Sequence, residues 1–142
     1  MPETNKKGVR LTECIAPAFY PVHWDVTNGG QTYYDLYGGR GSTKSSFISV
    51  EIILGIMSDP TANAVVFRKV ASTISTSVYE QILWAIDALG VSDLWRTTVN
   101  PHKAYYKPTG QVILFRGLDK AKKLKSIKVS KGYIKYLWLN IF

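Results

Sequence analysis

Gly38-Gly39-Arg40-Gly41-Ser42-Thr43-Lys44-Ser45 (GGRGSTKS) decides the fold, because this glycine-rich stretch lies between a strand-like run and a helix-like run. Residues 31–37 (QTYYDLY) are aromatic and β-prone. Residues 44–57 (KSSFISVEIILGIM) are almost wholly apolar after their first turn, as in a helix packed against a sheet. Strand, glycine loop and helix follow in the order that a phosphate-binding loop requires. The stretch therefore predicts a nucleotide site.

The loop fits most of the general pattern G-x-x-x-x-G-K-[ST]. In that pattern backbone N–H groups wrap the β-phosphate, the lysine reaches the β and γ oxygens, and the last hydroxyl binds Mg²⁺. Gly38, Lys44 and Ser45 stand at the matching places, whereas Thr43 replaces the second glycine and narrows the approach to phosphate. A helix starting near Lys44 would also point its positive dipole end at the anion.

We therefore expect ATP and Mg²⁺ as cofactors, with the Ser45 hydroxyl as the Mg²⁺ contact. The alternative is a turn rich in glycine and serine that carries a lysine by chance. The predicted nucleotide-binding residues are Gly38, Gly39, Gly41, Ser42, Thr43, Lys44, Ser45 and Ser46.

Length and composition indicate a single globular domain. The chain has 142 residues, of which 46% are hydrophobic, enough for a substantial core. Its apolar runs are too short to span a membrane, and the first ten residues lack the apolar centre of a secretory signal. Cys14 is the single cysteine, so no internal disulfide is possible and a reducing cytoplasm is expected. No His/Cys cluster has the spacing of a zinc site.

The net charge of +8 is concentrated in the last third of the sequence. Residues 1–90 hold 7 Lys/Arg and 8 Asp/Glu, whereas residues 91–142 hold 11 and 2. The basic cluster could attract a polyanion such as DNA. A solvated lysine-rich face is the alternative, because lysine outnumbers arginine and no base-reading motif accompanies it. The predicted nucleic-acid contacts are Lys120, Lys122, Lys123, Lys125 and Lys128.

The order of elements extends the prediction along the chain. Residues 1–18 are expected to be an N-terminal arm, and residues 19–142 a partial P-loop domain. Ser58-Asp59-Pro60 ends the first helix, and residues 64–68 (AVVFR) are typical of a strand covered on both faces. Gly90 then ends a second helix. That helix is predicted from apolar residues at steps of three and four: Ile74, Val78, Ile82, Ile86 and Leu89.

The last third favours β structure. Residues 103–107 and 111–116, joined through Pro108-Thr109-Gly110, predict a hairpin, and residues 133–139 (YIKYLWL) an apolar strand. Residues 117–130 between them are interpreted as a basic loop or short helix. Strands alternating with helices behind a phosphate loop predict a three-layer α/β fold of the P-loop NTPase class.

Several segments together resemble the N-terminal ATPase part of PBSX-type bacteriophage terminase large subunits. They are FYPVHWDVTNGGQTYYDLYGGRGSTKSSFIS, VVFRKVASTISTSVYEQILWAIDALGVSDLW, TGQVILFRGLDKAKKLKSI and KYLWL, in the same order. The resemblance covers about residues 15 to 139. It is therefore far more specific than the glycine loop alone.

The resemblance implies a RecA-like motor domain. In the full-length protein, such a domain hydrolyses ATP to pump phage DNA through a portal into an empty procapsid. Lys44 and Ser45 would be the phosphate and Mg²⁺ contacts, and Arg40 the loop arginine that stabilises the transferring phosphate. The implied partners are double-stranded DNA, the small terminase subunit and the portal protein. The implied location is the cytoplasm of an infected or lysogenic bacterial host.

The sequence departs from this family at its last strand, the Walker B strand. Such terminases place paired acids there, one to hold Mg²⁺ and one to polarise the attacking water. Asn140 and Ile141 stand there instead, and neither an amide nor an alkyl group is a general base. Relative to that family, the later coupling motif, the remaining strands and the C-terminal nuclease domain are also missing. The resemblance therefore implies an incomplete sheet with an open edge and an uncovered apolar face, which favours self-association or pairing with another chain. We therefore expect ATP binding with weak or absent hydrolysis, and leave open whether the chain is an enzyme.

Other acidic residues are interpreted as structural or solvated, because none stands at the end of a strand beside the loop strand; they are Asp35, Glu51, Glu80, Asp87 and Asp119. For Asp119 the alternative is a loop that approaches nucleotide or DNA. His23 and His102 are isolated and are interpreted as packing or surface residues. The tryptophans are interpreted as core or interface anchors: Trp24, Trp84, Trp95 and Trp138.

Two alternative functions remain. One is a non-enzymatic terminase-derived module that binds DNA or a protein and regulates or interferes with packaging. The other is a different P-loop ATPase, such as a helicase or recombinase core.

Overall fold

The computed structural model describes Pro21, His23 and residues 44–119 and 127–140. Short 3-10 turns at Ala71–Thr73 and Ser92–Leu94 separate some of the elements in these ranges. In chain order the helices and strands are α1 (Lys44–Ser58), β1 (Ala62–Arg68), α2 (Val78–Ala88), β2 (Trp95–Val99), β3 (His102–Tyr106), β4 (Gln111–Gly117) and β5 (Tyr133–Asn140).

The five described strands form one mixed sheet in the order β2-β3-β4-β1-β5. Strand β1 lies in the centre and runs parallel to β4 and β5, whereas β3 runs antiparallel to both β2 and β4. This arrangement confirms the α/β class with an incomplete sheet and the hairpin between β3 and β4. Strand β2 was not predicted. It is a sheet edge whose residues after Trp95 are mostly exposed, so its sequence lacks the apolar alternation of a half-buried strand.

Helix α1 is apolar because it is packed between the sheet and α2. The prediction for residues 44–57 is confirmed, with the helix ending one residue later at Ser58. Each large apolar side chain buried there contributes about 1.5–3 kcal/mol relative to the exposed state. The buried apolar residues of α1 are Phe47, Val50, Ile52, Ile53 and Ile56.

Helix α2 begins later than its apolar pattern suggested. Ile74 belongs to the preceding turn, and the helix starts at Val78. The hydroxyl of Thr73 donates to the Val70 carbonyl at 2.6 Å, and that of Ser77 to the Thr73 carbonyl at 2.5 Å. Such local bonds hold the backbone in turns instead of helix. The predicted stop is confirmed, since Gly90 has a left-handed φ of 69° just after the helix.

The two faces of the sheet are covered unequally. Both described helices pack on the face that carries Ala64, Val66, Ile113 and Phe115. The opposite face has a smaller cluster around Val65, Phe67, Val112 and Leu114, against which Ile127 and Val129 pack. Leu137 and Leu139 lie beside this cluster in β5 and are 59% and 48% exposed. Within the described ranges β5 pairs only with β1. The predicted loop strand, residues 31–37, lies outside the described residues, so the open edge stays a prediction.

Polar groups tie α1 to the start of the parallel strands. The side-chain nitrogen of buried Gln111 lies 2.9, 2.7 and 2.5 Å from the carbonyl oxygens of Ile56, Asp59 and Ala62. These contacts satisfy backbone acceptors where the helix ends and β1 begins, groups that are costly to bury alone. The Gln111 side chain thereby holds the connection between α1 and β1 next to β4.

The Asp59 carboxylate joins the same connection to β5. It accepts the backbone N–H of Thr61 at 3.0 Å, the Thr61 hydroxyl at 2.7 Å and the Lys135 ammonium at 3.1 Å. These bonds, those from Thr61 above all, lower the pKa of Asp59 to about 2, and the same pairing raises the pKa of Lys135. Asp59 therefore keeps its bonds until the pH falls toward that value.

No helix in the described ranges is long and apolar enough to cross a bilayer.

Candidate functional site

The start of α1 and the ends of the parallel strands lie at one edge of the sheet, here called the carboxyl edge. Only three residues connect α1 to β1, so the helix must run back alongside the strand. Fifteen helical residues span about 22 Å, and seven strand residues about 23 Å. The first turn of α1 therefore returns to the level of Arg68, the last residue of β1. Ligands of open α/β sheets bind outside the carboxyl ends of the strands.

A contact between α1 and β5 gives the same register independently. A Cβ placed on Gly55 would lie 2.0 Å from the Tyr136 hydroxyl, so the Tyr136 ring rests directly on the helix. Asn140 is four residues further along β5, about 13 Å. That distance corresponds to about nine residues along a helix. Counting nine residues back along α1 from Gly55 reaches Ser46, so Asn140 lies level with Ser46, in the first turn of α1.

The predicted phosphate-binding residues fall partly within the described structure. Lys44, Ser45 and Ser46 form the first turn of α1 and are half-buried, as the helix prediction required. The remaining loop residues lie outside the described residues, and their roles stay predictions. They are Gly38, Gly39, Arg40, Gly41, Ser42 and Thr43.

Arg68 and Asn140 meet at the carboxyl edge, where β1 and β5 end side by side. The Arg68 Nη1 donates to the Asn140 side-chain oxygen at 2.7 Å and lies 3.4 Å from its backbone oxygen. The Arg68 Nε donates to the Thr73 hydroxyl at 3.1 Å. Asn140 stands where the resemblance implies an acid, and its side-chain oxygen is bonded to the Arg68 guanidinium. Ile141 lies outside the described residues. Sequence reasoning missed Arg68; the available signal was a basic residue at the end of a buried strand.

Asp119 closes the end of β4 and binds the protein itself. Its carboxylate accepts the Ala71 backbone N–H at 2.9 Å, and the neighbouring Leu118 N–H donates to the Arg68 carbonyl at 2.9 Å. A Cβ on Gly117 would lie 2.5 Å from the Ala71 backbone, so this approach needs glycine. The structure thus gives Asp119 a structural role.

His23 and Glu51 form a buried pair that fastens the segment before the loop to the middle of α1. The His23 Nδ1 bonds the Glu51 carboxylate, and the two residues are 4% and 8% exposed. Glu51 therefore serves the fold, and a contact over 28 residues of sequence could not be read from local pattern. The other histidine, His102, packs edge-on against Tyr79 with ring centres 4.7 Å apart.

None of the remaining candidates that the structure describes bonds to Arg68 or Asn140. Glu80 and Asp87 are exposed on α2, and Asp35 and Trp24 lie outside the described residues. Trp95 and Trp138 are buried as anchors, whereas Trp84 is 41% exposed and is not part of the core. No group of three or more His, Cys, Asp or Glu side chains able to hold a metal ion occurs in the described ranges.

Of the predicted nucleic-acid contacts, the structure describes only Lys128. Lys128 is exposed and precedes β5, so it lies toward the opposite end of the sheet from Asn140. Lys135 is engaged with Asp59. The other predicted contacts lie outside the described residues: Lys120, Lys122, Lys123 and Lys125.

Comparison with known proteins identifies similar sequences. The profile of a family described as phage terminase large subunit matches residues 31–140. The "Terminase, large subunit" of Bacillus phage SPP1 is 42% identical over 134 residues, 94% of this chain and 32% of that protein. The "PBSX phage terminase large subunit" of Bacillus subtilis (strain 168) is 32% identical over 102 residues, 72% of this chain and 23% of that protein. The chain spans about a third or less of the length of these relatives.

Proposed function

The chain belongs to the phage terminase large subunit family, and we propose that it is an ATP-binding fragment of the DNA-packaging motor. One observation carries the proposal: α1 begins at Lys44 and Ser45 at the edge where β1 and β5 end. A phosphate loop needs this geometry, because its backbone N–H groups and the helix N-terminus must face the same anion. The predicted glycine loop immediately precedes this helix start.

Backbone and side-chain groups of this chain would contact different parts of the nucleotide. In this proposal the backbone N–H groups of residues 38–45 would hold the β-phosphate, and the Lys44 ammonium would contact the β and γ oxygens. Arg40 would be the loop cation that neutralises charge at the γ-phosphate. The Ser45 hydroxyl suits Mg²⁺, because Mg²⁺ prefers oxygen ligands and Ser45 lies in the first turn of α1. A bound Mg²⁺ would supply positive charge that offsets the negative charge of the phosphates.

We further propose that this chain hydrolyses ATP weakly or not at all by itself. The Asn140 amide cannot act as a base and is held by Arg68. The Asp119 carboxylate is held by the Ala71 N–H. The described part of the carboxyl edge thus offers no carboxylate positioned to activate water, which phosphoryl transfer to water requires.

Lys44→Ala is expected to weaken ATP binding about tenfold or more, because charge-assisted bonds to the phosphates are lost. Titration calorimetry with Mg²⁺ and ATP measures the effect, and Lys103→Ala on β3 is the matched control. A wild-type chain that binds no ATP, or equal affinities of all three proteins, would contradict the proposal. Phosphate release is measured on the same samples, and rapid turnover by the wild type would overturn the proposed lack of hydrolysis.

An interaction module without enzymatic activity is the second candidate, favoured by two surfaces. Lys128 and Lys131 are exposed before β5, and the β5 edge exposes Leu137 and Leu139. In this candidate the basic surface binds double-stranded DNA and the apolar edge supports self-association or contact with the small terminase subunit or portal protein. The host cytoplasm is the proposed location for either candidate.

Salt titration separates the two kinds of partner. If the lysines before β5 bind DNA, affinity should fall steeply with salt, with a log–log slope of about −0.9 per phosphate neutralised. Lys128→Glu should weaken binding and flatten that slope, measured by fluorescence anisotropy with labelled duplex. Weak binding that does not change with salt would instead favour a protein partner.

A further inference from the structure

Within the part of the chain that the structure describes, no acidic side chain pairs with the Arg68 guanidinium. The guanidinium is half-buried at the carboxyl edge, between the ends of β4 and β5. Its three bonded acceptors are the Thr73 hydroxyl and the side-chain and backbone oxygens of Asn140, all neutral. Arginine stays protonated at any physiological pH. A partly buried guanidinium whose described partners are all neutral is suited to attract an anion.

The neighbouring carboxylate does not supply the missing counter-charge. Asp119 follows β4 at the same edge, but its carboxylate accepts the Ala71 N–H. Within residues 44–119 and 127–140 no carboxylate pairs with Arg68, and its Nη2 has no hydrogen-bond acceptor. Two of the five guanidinium N–H groups therefore remain for a ligand.

The position of Arg68 indicates what that ligand is. Arg68 is paired in register with Asn140, which lies level with the first turn of α1. Lys44 begins that turn, so two cations flank the same edge. The two remaining N–H groups are both on Nη2 and diverge, so each can donate a charge-assisted hydrogen bond to an anionic oxygen, and a phosphate group offers such oxygens.

We propose that Arg68 is a second cationic contact for the nucleotide and that it selects a nucleoside triphosphate over a diphosphate. This inference rests on the proposed function, since it adds a residue to the same site. The loop and Lys44 hold the β-phosphate in either nucleotide. Arg68, held at the strand ends, contacts the terminal phosphate that only the triphosphate has. Asn140 and Thr73 are positioning residues that orient the guanidinium.

The test compares ATP and ADP binding by calorimetry. Arg68→Ala should weaken ATP binding about tenfold while changing ADP binding less than about twofold, because only the terminal phosphate loses its contact. Arg96→Ala is the matched control, since Arg96 lies on the distant edge strand β2 over the Tyr105 ring; neither affinity should change. Arg68→Lys, which keeps the charge but not the planar guanidinium held by Asn140 and Thr73, should recover part of the ATP affinity.

A purely structural role for Arg68 predicts equal losses of ATP and ADP affinity. If Arg68→Ala lowers the melting temperature, Arg68→Gln is the variant to measure, because it keeps amide donors for Asn140 and removes the charge. The same ATP-selective loss is expected in Arg68→Gln. Equal losses for ATP and ADP in Arg68→Gln, or no loss, would overturn this inference and leave the proposed function intact. If the wild type binds neither nucleotide, the proposed function fails, and this inference with it.

Discussion

Replacing Gly132 by alanine is expected to lower the free energy of unfolding by about 3 kcal/mol, because strain and a backbone collision add. Gly132 has a φ of 74°, which side chains rarely adopt, and an added Cβ would lie 2.1 Å from the Thr61 carbonyl oxygen. That oxygen accepts the Tyr133 N–H at 2.9 Å. Moving it would break the bond that aligns the starts of β1 and β5.

Gly110 provides the matched control. Its φ of 79° is equally left-handed, but no atom lies within 4 Å of the Cβ position. Gly110→Ala should therefore cost only the backbone strain, about 1 kcal/mol. Urea unfolding followed by tryptophan fluorescence gives both values, and the difference isolates the collision with Thr61. Equal costs for the two variants would show that the contact between the strand starts does not stabilise the fold.

Asn63→Leu is expected to lower the free energy of unfolding by about 3 kcal/mol, since buried polar groups lose their partners. Asn63 is only 1% exposed in the central strand β1. Its side-chain oxygen accepts the Val112 N–H at 2.9 Å, and its nitrogen donates to the carbonyls of Lys131 at 2.9 Å and Tyr133 at 3.2 Å. One amide thus joins β1 to β4 and to the start of β5, and leucine offers neither donor nor acceptor.

Thr97→Leu, at an exposed position of the edge strand β2, is the control for placing a leucine in the sheet. Its effect should stay within about 0.5 kcal/mol. Hydrogen exchange shows where the structure is weakened. In Asn63→Leu the Val112 amide should exchange far faster than in the wild type. The exchange rates of the α2 amides should rise only as much as the global loss of stability requires. A variant as stable as the wild type would mean that water or neighbouring groups replace the three bonds.

Much of the candidate site could be read from local sequence. The glycine loop followed by an apolar run placed the start of α1 at Lys44, and the apolar run ending at Arg68 placed the central strand. The resemblance to terminase large subunits rests on segments spread along the chain, and the comparisons confirm it. Strand β2 was missed because an exposed edge strand needs no apolar pattern, and the start of α2 because side-chain hydroxyls hold the preceding backbone in turns.

The amino-acid sequence by itself determined the helices, the buried strands and the family, because these depend on spacing between near neighbours and on matched segments. Only the tertiary structure decided that Arg68 meets Asn140, 72 residues away, and that His23 meets Glu51 inside the core. Strand order and helix register bring such residues together, and both are set by the packing of the whole sheet. Periodicity reports which face a side chain occupies, but not which distant side chain it meets there.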